Sequence, residues 1–138
     1  MKSQIVYTMF IICLIPLVSC QNQPEQMSVL DNIEEISVSE SEGYGGVNED
    51  FFAVLKDDDV TSAFEEMMYD AKGRKVENRK APDFDLLIQY EDGSSHLLHL
   101  ILGEKGEKSS LNYVGHDGMA YFMDAEKTDL LRKWIYKN

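Results

Sequence analysis

The sequence predicts an α+β domain: a mostly antiparallel sheet of about six strands in the order ββαββββα, with two helices packed on one face. Three observations predict it. Apolar and polar residues alternate from Phe84 to Tyr90, and an apolar run returns after Asp92-Gly93, as in two strands joined by a hairpin. From Val60 to Ala71 the apolar residues instead fall at helical spacing. Four strands then follow with no helix between them, which argues against a parallel doubly wound sheet.

Each element has its own reason. Ile36 and Val38 alternate with Ser37 and Ser39 as a first strand. Gly43-Tyr44-Gly45-Gly46 breaks that pattern as a loop, and Phe51 to Leu55 is a β-prone second strand. In Asp57-Asp58-Asp59, one carboxylate is placed to accept from free amides at a helix start. Val60, Ala63, Phe64, Met67, Met68 and Ala71 form the apolar face of that helix, and Gly73 is placed to end it. Arg74 to Pro82 is basic and reads as irregular.

The following hairpin allows two registers. A two-residue loop pairs Leu86 with His99 and puts an imidazole in the apolar row. A three-residue loop, Glu91-Asp92-Gly93 with a left-handed glycine, pairs Leu86 with Leu98 and Phe84 with Leu100. It also sets Asp85 opposite His99, and is the register expected. After the loop from Gly103 to Ser109, Leu111 to Val114 and Met119 to Met123 pair across His116-Asp117-Gly118. Asp124 is placed to cap a last helix carrying Leu130, Leu131, Trp134 and Ile135.

The chain's start has a different character. Lys2 precedes an apolar run from Ile5 to Val18, interrupted only by Thr8 and Pro16. At about 14 residues it falls short of the roughly 18 to 20 that span a bilayer, which disfavours a permanent membrane helix. Leu17-Val18-Ser19-Cys20 resembles the lipobox of bacterial lipoproteins, with a plain secretory cut as the alternative. That resemblance implies a diacylglyceryl group on the Cys20 thiol and cleavage just before it. The expected organisation is a signal peptide over 1–19, a lipidated cysteine and polar tether over 20–32, and the domain over 33–138. The protein is then extracytoplasmic and anchored to the cell membrane by lipid. Cys13 lies in the leader, so the domain has no thiol for a disulfide, a metal or a nucleophile.

Without the leader and Lys2, 12 basic residues face 25 acidic ones. Such a surface repels nucleic acid, and no nucleic-acid partner is expected. No cofactor or metal site is expected either. His96 and His99 point to opposite faces of a strand and cannot converge on one ion. Asp57-Asp58-Asp59 lacks the spacing of a calcium loop, and Gly43 to Gly46 and Gly103 to Gly106 lack the ending of a phosphate loop. The Asp85–His99 pair resembles half of a catalytic dyad with no serine placed beside it, and His116 sits in a turn next to Asp117. Arg74, Lys75, Arg79 and Lys80 gather a third of the mature cations into one stretch and form a candidate contact patch. Tyr44, among three glycines, is a candidate exposed anchor for a partner, with folding back onto the sheet as the alternative.

From Ile36 to Asn138 the chain resembles the YhfM-like domain of small lipoproteins of Gram-positive bacteria. The resemblance rests on Gly43-Tyr44-Gly45-Gly46-Val47-Asn48 leading to Phe51-Phe52, on Pro82-Asp83-Phe84-Asp85-Leu86, on Tyr90-Glu91-Asp92-Gly93, and on His99 to Gly106. It differs in having Leu102 where such sequences carry an aromatic residue. That family implies no activity that can be transferred. The expected function is therefore a non-enzymatic, membrane-anchored module binding a protein or envelope component. The alternatives are an envelope hydrolase using Asp85 and His99 or His116, and an inhibitor presenting loops to an enzyme.

Overall fold

A computed structural model describes residues 25–28 and 30–137. In chain order the first half holds β1 (Glu25–Gln26), β2 (Ile33–Glu40), β3 (Ala53–Leu55), α1 (Asp58–Asp70) and β4 (Lys72–Lys75). The second half holds β5 (Phe84–Tyr90), β6 (Ser95–Ile101), β7 (Ser109–Tyr113), β8 (Met119–Met123) and α2 (Ala125–Tyr136). The strands form one antiparallel sheet in the order β1-β4-β8-β7-β6-β5-β2-β3.

The β5–β6 hairpin takes the three-residue loop. Gly93 is left-handed at φ +84°, and the Tyr90 N–H donates to the Ser94 carbonyl at 3.0 Å. Leu86 accordingly faces Leu98, Phe84 faces Leu100, and Asp85 faces His99. Alternation carries this register outward. Val38, Leu86 and Leu98 lie in one row on the first face, while Ser39, Asp85, His99 and Asn112 lie in one row on the second.

Both helices cover the first face. Phe64, Met67 and Met68 of α1, with Leu131 and Ile135 of α2, join Ile36, Val38, Leu86, Leu100 and Leu111 in one core. Each such side chain contributes about 1.5–3 kcal/mol when taken out of water. Asp57 caps α1, its carboxylate accepting the Asp59 N–H at 3.2 Å.

The structure corrects several expectations. The sheet has eight strands, not six, the additions being β1 and β4. Neither carries an apolar alternation, since Lys-Gly-Arg-Lys and Glu-Gln gain their conformation from pairing with neighbours. Gly73 does not end α1 but sits within β4, because a Cβ there would meet the Glu25 carbonyl at 2.8 Å and the Tyr121 ring at 2.9 Å. The helix stops at Ala71, whose backbone is extended. Asp124 makes no side-chain cap bond; instead Thr128 and Ser109 join α2 to β7 through their hydroxyls at 2.7 Å.

The folded part also begins before residue 33. Met27 is buried, and the Tyr113 hydroxyl donates to the Ser28 carbonyl at 2.8 Å, so part of the expected tether belongs to the domain. Cys20, Cys13 and the signal segment lie outside the described residues. Among the described residues, no helix is long and apolar enough to cross a membrane.

Candidate functional site

The second face of the sheet holds a buried polar layer. Asp85 and His99 are fully buried, and the imidazole Nδ1 lies 2.7 Å from Asp85 Oδ1. The other carboxylate oxygen accepts the Asn48 N–H at 2.8 Å. Asn48 also donates its amide to the Glu40 carbonyl at 2.9 Å, and Ser39 donates to the Asn48 carbonyl, so the glycine loop is pinned onto the polar row. Gly43, at φ +112°, turns the chain so that Tyr44 folds down over this layer.

Tyr44 thus takes the second of its two courses and folds back onto the sheet. Its ring meets His99 edge-on at 5.3 Å, and its hydroxyl donates to the Lys80 carbonyl at 2.9 Å. The Arg79 guanidinium lies 4.1 Å above the Tyr44 ring and 3.6 Å from the Asp117 carboxylate. Burial raises the Tyr44 pKa, and the neighbouring guanidinium partly offsets that shift. His99 Nε2, Arg79 Nη1 and Asn112 Oδ1 are buried without a hydrogen-bond partner among the described residues.

This layer is an incomplete dyad. Nε2 is the nitrogen that would take a proton from a nucleophile, yet no hydroxyl reaches it. Ser109 is turned to the helix face and bonded to Thr128, while Ser94 bonds Asp92 in the turn. Leaving three buried polar groups unmatched costs stability.

A second feature lies on the helix face, beyond the helices. A cleft of about 490 Å³ is walled by Tyr113, Tyr121 and Met119, with His96, His116 and Glu25 among its lining residues. Its rings pack edge to face: His96 to Tyr113 at 5.4 Å, Tyr113 to Tyr121 at 5.8 Å, and Tyr113 to His116 at 6.3 Å.

The electrostatics define the cleft's polar atoms. Tyr90 Oη lies 2.9 Å from His96 Nδ1. Burial pushes the Tyr90 pKa up to about 12 and lowers that of His96, so both are neutral near pH 7. With the phenol donating to Nδ1, Nε2 is the nitrogen of His96 that bears the proton. Tyr113 and Tyr121 are also held neutral, chiefly by burial, and Glu25 accepts a hydrogen bond from Tyr121. The cleft thus offers aromatic faces, an imidazole N–H and a carboxylate.

The candidate basic patch is divided. Arg79 turns inward, its side chain 12% exposed, and Lys80 pairs with Asp83 at 3.1 Å. Arg74 and Lys75 remain exposed on β4, where Arg74 lies 3.9 Å over the Phe122 ring. The division arises because the chain leaves the sheet edge after Lys75 and crosses the second face. His116 is exposed in its turn and joins the cleft. Among the described residues, no three metal-ligating side chains converge. Sequence reasoning missed the cleft because Glu25 and Ser28 come from the supposed tether. The apolar Met119, Tyr121 and Met123 alternation was its one visible wall.

No family model and no curated protein matches the chain. The fold is similar to that of a thioesterase-like protein from Clostridium sporogenes, solved as a crystal structure. The TM-score is 0.63 at 18% identity, over 80% of this chain and 99% of the other. This likeness is one of fold.

Proposed function

We propose that the chain is a YhfM-like lipoprotein domain, held outside the cytoplasmic membrane by a lipid on Cys20, that binds a protein or envelope component without catalysing a reaction. The aromatic cleft is its binding site. The observation that carries this reading is a contrast between the two faces. The aromatic cleft is open and mostly apolar with a few placed polar groups, whereas the one buried histidine–carboxylate pair is covered by Tyr44. A ligand with a flat apolar or sugar-ring face fits between Tyr113, Tyr121 and Met119. Its acceptor groups would meet the His96 N–H and its donors Glu25.

The test uses the mature chain with Cys20→Ser, so that retention reports the domain and not its anchor. Wall fragments and envelope extracts are passed over immobilised protein, with Met119→Glu as the comparison. Retention should fall at least tenfold in the variant, as a charge is placed against an apolar ligand face. Equal retention by both proteins would remove the cleft from consideration.

A second reading has one observation behind it. Asp85 and His99 form a buried pair whose imidazole packs against the Tyr44 ring and whose Nε2 has no hydrogen-bond partner among the described residues, on a fold similar to that of a protein described as thioesterase-like. Hydrolysis there requires the Tyr44 loop to lift and water to reach Nε2. Tyr44→Ala would then raise turnover of acyl thioesters, and a lack of turnover with or without Tyr44 would end this reading.

A further inference from the structure

We propose that the β1–β4 edge of the sheet docks on anionic lipid headgroups through the cations of β4 and sets how the domain stands on its membrane. This rests on the lipid-anchor reading of Cys20. The β4 strand is Lys72-Gly73-Arg74-Lys75, and its three cations are exposed. Lys72 and Arg74 share a face with Phe122, and Lys75 projects from the opposite one. Among the described residues the three β4 cations hold no carboxylate within 4 Å, as is also true of Lys105, Lys108, Lys133 and Lys137, whereas Lys56, Lys80, Lys127 and Arg132 each hold one.

Chain direction links this strip to the anchor. β1 is antiparallel to β4, with Gln26 facing Lys72 and Glu25 facing Gly73. The N-terminal end of β1 therefore points along β4 toward Arg74 and Lys75. Five residue steps separate Glu25 from Cys20, so a lipid on Cys20 lies within roughly 17 Å of the strand end.

Charge then selects the orientation. The chain carries a net charge of −12, and most of its surface is repelled by an anionic leaflet. Glu25 lies on the same edge but is engaged by the Tyr121 hydroxyl. Three unpaired cations near the surface are together worth on the order of a hundredfold in affinity for anionic lipid. Headgroup phosphates meet Lys72, Arg74 and Lys75, and the aromatic cleft beside Glu25 is brought close to the bilayer.

The mature chain is coupled through Cys20, its one thiol, to a maleimide lipid and placed on two kinds of vesicle. One is phosphatidylcholine alone; the other also contains phosphatidylglycerol. Backbone hydrogen exchange across 72–76 should slow by on the order of tenfold on the anionic vesicles, and the effect should vanish in high salt. Lys72→Glu with Lys75→Glu should abolish the slowing; this pair leaves the Arg74–Phe122 stack in place, and circular dichroism checks the fold. Equal exchange on both vesicles, or unchanged slowing in the double variant, overturns the proposal. Because the anchor is supplied chemically, these outcomes are independent of whether cells lipidate Cys20. That separate question is read from the mass of the protein isolated from its native membrane.

Discussion

Asp85 holds two neighbours in place on the second face. It is fully buried, and it alone satisfies His99 Nδ1 and the Asn48 N–H. Asp85→Ala strands both, and should cost about 3–5 kcal/mol, the usual result of removing one partner of a buried pair. Urea unfolding checks this, and a loss under about 1 kcal/mol would show that the pair is dispensable. His96 makes a prediction about acidity. Burial holds its folded pKa below the ordinary 6.5, so the unfolded chain binds the proton first. Its contribution to stability is therefore complete above pH 6.5 and declines as the pH falls toward the folded value. Comparing His96→Gln with the parent between pH 7 and 5 isolates this contribution, and the variant's stability should fall less steeply. Tyr90 acts at the alkaline end. Its folded pKa near 12 exceeds the ordinary 10.0, so stability declines as the pH rises through that interval. Spectrophotometric titration should show a tyrosine that ionises late.

Among the elements, β4 is the most exacting despite its lack of apolar residues. Gly73→Val would drive a side chain into the Tyr121 ring and the Glu25 carbonyl. The expected loss is about 1–3 kcal/mol, with β1 released and the cleft wall displaced. Limited proteolysis near residues 25–28 should accelerate in this variant, and unchanged cleavage would contradict the packing described. The same strand shows why part of the fold was unreadable from sequence. In β5 and β6 the period-two pattern and the left-handed Gly93 specify the register down to the Asp85–His99 pairing. For β4 the determinant is a missing Cβ opposite Tyr121, a long-range fact that no local pattern encodes. The candidate sites divide in the same way. Asp85 and His99 were legible because strand alternation placed them. The aromatic cleft was not, since it unites Glu25 and Ser28 with β6, β7 and β8 across nearly the whole chain. The orientation of Tyr44 was open for a third reason: a glycine-flanked aromatic can point either way, and the Lys80 carbonyl and Arg79 guanidinium decide it.

For the whole molecule, the two faces of one sheet are put to different uses. Helices α1 and α2 occupy most of the first face and leave the aromatic cleft beyond them, while a loop and a cationic segment cover the second. The net charge of −12 makes the proposed surface binding depend on salt, and raising ionic strength should free the domain to tumble on its anchor without detaching it. Fluorescence anisotropy of a label on an exposed residue such as Ser62 measures that freedom, and indifference to salt would argue against electrostatic docking. Strand β1 adds a mechanical aspect. Among the described residues it is two residues long, pairs as a strand with β4 alone and lies nearest the N-terminus. Peeling it away would take Glu25 out of the cleft wall, loosen Ser28 from Tyr113 and draw on Met27 at the margin of the core. On the proposed anchor, tension between membrane and partner would change the proposed binding cleft before the domain unfolds.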